Sequence, residues 1–275
     1  MNRILRKEML AKDIFLLEVK NSYIARNFKA GQFVILRVDK RGERIPLTVV
    51  EHTMDTITLV FLKVGKTTNK LASLSVGDKI ENLLGPLGNP IDVPYEKNTV
   101  FVGGGVGTAA MIEKIRAFRE KNNRITSIIG AKSKEYIIFE KEIKEISDET
   151  YVTTDDGTYG RKGFVTEVLE EILKRGGIDE VVAVGPTIMM KVVSEVTKKY
   201  GIKTIVSLNP IMVDGTGMCG SCRVIVGGKQ RFACVDGPCF DGHMVDWESL
   251  LRRISSYREL ESVAVEKGGD EGKEG

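Results

Sequence analysis

Four cysteines near one end constrain this chain more than any other feature. None occurs in the first 218 of its 275 residues, and then Cys219, Cys222, Cys234 and Cys239 fall within 21 positions. A disulfide-stapled secreted protein spreads its cysteines through a small chain. The opening MNRILRKEML carries charge but no apolar run, so no signal peptide is visible. The cluster therefore reads as a metal site in a reducing compartment, and the chain as cytoplasmic. Lys and Arg number 41 against 38 Asp and Glu, a net charge of +3. That balance gives no support to nucleic-acid binding or electrostatic membrane docking. No apolar run approaches the roughly 18 residues that span a bilayer. His52 and His243 are too few and too scattered for a multi-histidine metal site.

Ahead of the cysteines the pattern changes once. Over residues 1–95, DIFLLEVK, QFVILRV and TITLVFLKV are short, apolar and β-branched, separated by Gly, Asp, Asn and Lys. Strands at this spacing predict an antiparallel barrel or sandwich. From Thr99, strands such as TVFVGGG, ITSIIGA, VVAVGP and TIVSLNP alternate with helical periods, for instance Val165, Val168, Leu169, Ile172 and Leu173. Alternation of this kind predicts a parallel sheet with crossover helices over residues 96–208. The expected architecture is multidomain β plus α/β, with a small cysteine domain over 209–258 and a charged, glycine-rich, disordered tail over 259–275.

The cysteine segment reads VDGTGMCGSCRVIVGGKQRFACVDGPCF. Plant-type [2Fe–2S] centres use C-x4-C-x2-C…C. That frame puts Asp214 at the first position, followed by Cys219, Cys222 and Cys234. A carboxylate is an anionic ligand and can replace a thiolate without changing formal charge. Spacing leaves two rivals open: Cys239 as the fourth iron ligand, or a four-cysteine zinc site. The stretch GGGVGTAA at 103–110 follows a strand and opens a helix, where backbone N–H groups can hold a pyrophosphate. The acidic residue expected at the end of the next strand is missing; Lys132, Ser133 and Lys134 stand there, either to accept a 2′-phosphate or as a solvated basic turn. Two further segments, RIPLT at 44–48 and VGKTT at 64–68, carry groups suited to a flavin and its phosphates, though each alone also passes as a strand and a turn.

Taken in order, GERIPLT, GPLGNP, FVGGGVGTA, TDDGTYGRKGFVT, SLNPIMVDGTGMCGSCRV and ACVDGPCFDGH resemble the ferredoxin–NADP reductase superfamily up to about residue 258. Within it they resemble the electron-transfer subunits of dihydroorotate dehydrogenase, and still more the small subunits of NADH-dependent reduced ferredoxin:NADP oxidoreductases. The resemblance implies a flavin-binding β-barrel, an NAD(P)-binding α/β domain and a [2Fe–2S] domain. It implies FAD, [2Fe–2S] and NAD(H) as cofactors, with hydride transfer left to the flavin and no catalytic side chain. The implied partner is a larger iron–sulfur flavoprotein subunit in a heterodimer, which handles ferredoxin and NADP(H) in electron bifurcation. Cofactor contacts are implied at Arg44, Pro46, Leu47, Thr48, Phe61, Leu62, Gly65, Thr67 and Thr68 for the flavin. For the nucleotide they are implied at Gly104, Gly105, Val106, Gly107, Thr108, Ala131, Lys132, Gly185 and Pro186, and for the cluster at Asp214, Cys219, Cys222 and Cys234. The family motif has arginine where Ile45 stands. Arg44 precedes it by one residue, on the opposite face of a regular strand unless the strand bulges. A dihydroorotate-dehydrogenase role is the first alternative, and a zinc-stabilised nucleotide-binding regulator the second.

Overall fold

The computed structural model describes residues 2–256, so the tail expected at 259–275 lies outside the described residues. The N-terminal strands are β1 (Arg3–Ala11), β2 (Ile14–Lys20), β3 (Phe33–Arg37), β4 (Arg44–His52), β5 (Thr56–Leu62) and β6 (Asn82–Leu87). They form one antiparallel sheet in the order β1-β2-β5-β4-β3-β6. The ladder does not close strand to strand. Its two edges meet through the bridge Arg3↔Lys79, with Ile4 N–H donating to the Asp78 carbonyl at 2.9 Å. Alternation buries Leu17, Val34, Leu36 and Leu59 completely inside this sheet. Two short helices interrupt the β region, α1 (Ser22–Asn27) and α2 (Lys66–Ser73). Asn21 caps α1 by accepting from Ile24 N–H at 3.0 Å.

The next elements are β7 (Asn98–Gly104), a 3₁₀ turn over Gly105–Met111, α3 (Ile112–Arg119), β8 (Arg124–Ala131), α4 (Glu140–Ile146), β9 (Glu149–Thr154), β10 (Arg161–Lys162), α5 (Val165–Arg175), β11 (Glu180–Val184), α6 (Thr187–Lys199) and β12 (Lys203–Ser207). Their sheet runs β10-β9-β8-β7-β11-β12, all parallel. Strand order reverses between β7 and β11, the crevice where open α/β sheets bind ligands at their carboxyl edge. The C-terminal part adds a hairpin, β13 (Arg223–Val226) and β14 (Lys229–Phe232), then β15 (Cys239–Asp241) and α7 (Trp247–Ser255). β15 joins the second sheet antiparallel to β12, with Cys239 opposite Ser207. TIVSLNP is therefore not the outermost strand of that sheet.

The parts are packed into one another. The outer face of the first sheet, through Leu16, Val50 and Val60, shares a core with Ala109 of the 3₁₀ turn, Ile112 of α3 and Val184 of β11. Arg116 on α3 reaches Glu51 on β4 at 2.8 Å, and His52 lies 3.2 Å from Glu113.

Candidate functional site

The register of β4 decides what the first sheet offers. β3 and β4 pair without a bulge through Phe33↔Thr48, Ile35↔Pro46 and Arg37↔Arg44. Arg44, Pro46 and Thr48 therefore share one face with Phe33, Ile35 and Arg37, while Ile45 and Leu47 pack toward the inner core with Val34 and Leu36. No bulge is needed to bring Arg44 beside Thr48. Its guanidinium has no partner among the described residues, and the buried Nε of Arg37 across the ladder is also unpaired. Two like charges directly opposite are unfavourable unless an anion lies between them. Arg37 was not among the sequence candidates; its alternation with Phe33 and Ile35 is the signal that could have found it.

Three flavin candidates have their side chains engaged within the protein. Phe61 is 2% exposed and stacked on Phe15 at 5.8 Å, so its side chain belongs to the core and is not available to a cofactor. Leu62, at the strand end, is half-buried. The VGKTT segment is the start of α2, not a turn. Thr68 Oγ1 accepts from Gly65 N–H at 2.9 Å and from Val64 N–H at 3.0 Å, and Thr67 Oγ1 donates to Glu43 at 3.0 Å. Both hydroxyls are committed to holding the helix start. What remains for an anion is the helix N-terminus itself.

On the second sheet, the glycine turn and the Gly185-Pro186 turn meet at the carboxyl edge. A Cβ on Gly107 would stand 2.6 Å from both the Gly185 Cα and the Val184 carbonyl oxygen. One on Gly103 would meet the Met111 sulfur at 2.6 Å, and one on Gly104 would meet Met189 and Pro186. Gly105 needs its freedom for another reason, a φ of +54°. Val106 is half-buried and Thr108 buried beneath this turn. Ala131, 8% exposed, closes the next strand, and Lys132 is exposed beyond it. The edge thus brings all nine nucleotide candidates to one side of the sheet.

The cysteine loop lies against the flavin-side face. Met212, Cys222, Ala233 and Cys234 share a small core with Phe33 and Ile35. A Cβ on Gly215 would meet Leu87 at 2.6 Å and Ile35 at 2.9 Å, and Asn89 N–H donates to the Gly237 carbonyl at 2.6 Å. The Cys222 and Cys234 sulfurs are 3.1 Å apart. Sulfurs sharing a tetrahedral metal at about 2.3 Å would stand about 3.8 Å apart, so this pair must open slightly to bind one. Burial and the neighbouring Cys222 thiol push Cys234 up to about 12, and an electropositive metal is what would deprotonate it. Cys219 is exposed and held below the usual thiol range, first by Ser221. Asp214 accepts from the backbone N–H of Thr216 at 2.9 Å, Met218 at 3.1 Å and Cys219 at 2.7 Å, and these bonds hold its carboxyl low. Among the described residues no three acidic, His or Cys side chains are gathered in metal-holding geometry. The donor set itself, Asp214, Cys219 and Cys222 on one glycine-rich loop with Cys234 from beyond the β13–β14 hairpin, suits an iron–sulfur centre. Cys239 sits apart, in β15; burial raises its thiol, opposed by Lys114. Lys114 is 1% exposed and donates to the Ala110 carbonyl at 2.9 Å.

Comparison with known proteins finds two domain matches. Residues 209–246 match the iron–sulfur cluster binding domain of dihydroorotate dehydrogenase B, and residues 101–195 an oxidoreductase NAD-binding domain. A dihydroorotate dehydrogenase B (NAD(+)) electron transfer subunit homolog of Thermotoga maritima is 45% identical over 97% of this chain and 95% of its own length. The chain belongs to the family of dihydroorotate dehydrogenase B electron transfer subunits and their homologs. The family's subunit from Clostridium perfringens is 33% identical over 86% of this chain and 94% of its own. Among solved structures, a chain of the NADH-dependent reduced ferredoxin-NADP oxidoreductase, studied for flavin-based electron bifurcation, superposes with a TM-score of 0.92 at 44% identity, covering 97% of both chains. A ferredoxin NADP+ reductase from Neisseria gonorrhoeae, at 18% identity and a TM-score of 0.60, shares the fold over 72% of this chain. Among the described residues no helix is long and apolar enough to cross a membrane.

Proposed function

We propose that this chain is the NAD(H)-side subunit of an electron-bifurcating NADH-dependent reduced ferredoxin:NADP oxidoreductase in the cytoplasm. Its partner is a larger iron–sulfur flavoprotein that handles ferredoxin and NADP(H). The observation that carries the reading is the meeting of three faces. The cysteine loop packs on the Phe33–Ile35 face that also bears Arg44, Pro46 and Thr48, and β15 ties that loop to the carboxyl edge holding Gly103–Gly107.

When bound, FAD takes hydride from the nicotinamide and releases electrons one at a time to a [2Fe–2S] centre. The chain's own residues bind and orient. Arg37, Arg44 and the α2 N-terminus neutralise the flavin phosphates, and Thr48 supplies a hydroxyl beside them. The glycine turn and Gly185-Pro186 admit the dinucleotide against bare backbone. Asp214, Cys219, Cys222 and Cys234 hold the cluster. Cys219 is exposed on the same segment as the exposed Val213 and Met218, and this stretch forms the surface for the partner subunit.

Anaerobic purification with metal, sulfide and flavin analysis tests the reading. About one FAD, two irons and two labile sulfides per chain are expected. Stoichiometric zinc without labile sulfide would leave only a nucleotide-binding regulator. The family's dihydroorotate dehydrogenase members favour one alternative, the same subunit serving a dihydroorotate-oxidising partner. The co-purifying subunit decides: one that oxidises NADPH supports the proposal, and one that oxidises dihydroorotate replaces it.

A further inference from the structure

We propose that Arg223 and Arg253 are positioning residues for the iron–sulfur centre, which aim the backbone between Cys219 and Cys222 at the cluster and raise its reduction potential; this rests on the iron–sulfur reading given above. Only Gly220 and Ser221 separate those cysteines. Both of their carbonyls are taken by a guanidinium. Arg223 donates from Nη1 to the Gly220 carbonyl at 3.2 Å, and Arg253 from Nη2 to the Ser221 carbonyl at 3.1 Å. The Gly220 carbonyl also accepts from the Arg223 N–H at 3.3 Å. In a trans peptide the C=O and the following N–H point opposite ways. A carbonyl turned toward an arginine therefore turns the next N–H away from it. The first such N–H, on Ser221, bonds the Cys219 sulfur. The second, on Cys222, has no acceptor among the described residues.

Arg253 comes from the far end of the segment. α7 packs on the β13–β14 hairpin, with Trp247 and Leu250 in one core with Val224. Its start is fixed by Asp246 N–H donating to the Ile225 carbonyl at 2.9 Å and by Trp247 Nε1 donating to the Gly242 carbonyl at 3.0 Å. That packing returns the last turn of α7 to the cysteine loop. Arg253 is half-buried and Arg223 exposed, and neither has an ion pair among the described residues. Both positive charges therefore stand uncompensated beside the thiols. Reduction adds a negative charge to the centre, and its potential follows local charge and the hydrogen bonds to its sulfurs. Guanidinium charge at the loop and N–H groups aimed at sulfur both favour the reduced state. Arg253, being less screened by solvent, has the larger share.

Iron and sulfide analysis of the full chain, with a redox titration followed by electron paramagnetic resonance, tests this without turnover. Arg253→Met removes both charge and donor. At a fixed potential its reduced-to-oxidised cluster ratio should fall about tenfold, equivalent to about 59 mV for one electron. Arg223→Met should lower that ratio about threefold. Arg253→Lys keeps a charge and a donor and should stay within about twofold of the wild type. A wild-type potential in both Met variants, with iron retained, would overturn the proposal. So would loss of iron in Arg253→Met together with a wild-type potential in Arg253→Gln, which keeps a donor but no charge; the arginine would then only brace the loop. Wild-type protein with no labile sulfide and no resonance on reduction would overturn the iron–sulfur reading itself, and this proposal with it.

Discussion

Two glycine-rich loops in this chain are built for anions, and they are prepared to different degrees. The turn at 103–107 is finished before any ligand arrives. Gly107 lies against Val184 and Gly185, Gly103 against Met111, and neighbouring strands fix both ends. Its donors are backbone N–H groups, and packing alone can aim those. The loop at 214–222 also uses glycines at positive φ, with Gly215 at +78°, Gly217 at +83° and Gly220 at +68°. Its donors, however, are side chains, joined by Cys234 from beyond the β13–β14 hairpin, and among the described residues the set is not yet gathered for a metal. Two thiols hydrogen-bond one another, one faces solvent, and Asp214 spends its carboxylate on its own backbone. A dinucleotide selects a site that already exists, whereas a cluster completes its own.

The widest break in that comparison is on the metal side. Asp214→Ala should cost about nine-tenths of the iron, because it removes a ligand of the proposed set and the acceptor for three N–H groups. Cys239→Ser should keep the iron, since β15 holds that thiol in the nucleotide sheet. Iron content and electron paramagnetic resonance of the reduced variants check the pair, and the reverse pattern would show the wrong fourth ligand. Next in size is Gly107→Val. The added side chain meets backbone that cannot yield, so about 1–3 kcal/mol of stability and most ADP-ribose affinity should go while the iron stays. Loss of both cofactors together would mean the two loops are not independent. The smallest effect is a pH one. Backbone N–H and then hydroxyl bonds from Thr158 hold the Asp156 carboxyl below its usual range. A depressed carboxyl stabilises above its unfolded value of about 3.9 and loses that stabilisation as pH falls through the folded value. The Thr158 amide resonance should therefore be flat from about pH 5 to 8 and move only below about pH 4. Asp156→Asn should abolish the movement.

What could be read in the sequence follows from how local each signal is. Long periodic segments gave the two architectures, because α5 and α6 each bury a full apolar stripe and β7, β8 and β11 are buried on both faces. The glycine turn was visible because its residue type is demanded by close backbone approach. β1 escaped notice because RILRKEMLA puts charge on four of the nine positions of an exposed edge strand and so breaks the apolar alternation. α1 and α2 escaped because six and eight residues are too few for a helical period to declare itself. At the site, the regular β3–β4 ladder leaves Arg44 on the face opposite Ile45, as the strand period implied, and only the structure shows that this face also carries Thr48. The burial of Phe61 against Phe15 was hidden because a motif position says nothing about which face a side chain takes.

β15 has one more consequence. Three residues, Cys239–Asp241, cover the free side of β12 over Ile205–Ser207. Without them a parallel sheet would end in a bare row of N–H and C=O groups, and such an edge invites pairing with another chain. The iron–sulfur segment is therefore also the guard on that edge. A chain cut after Ser207 would lose a redox centre and, at the same time, present a sticky strand to its neighbours, so shortening the protein trades electron transfer for self-association.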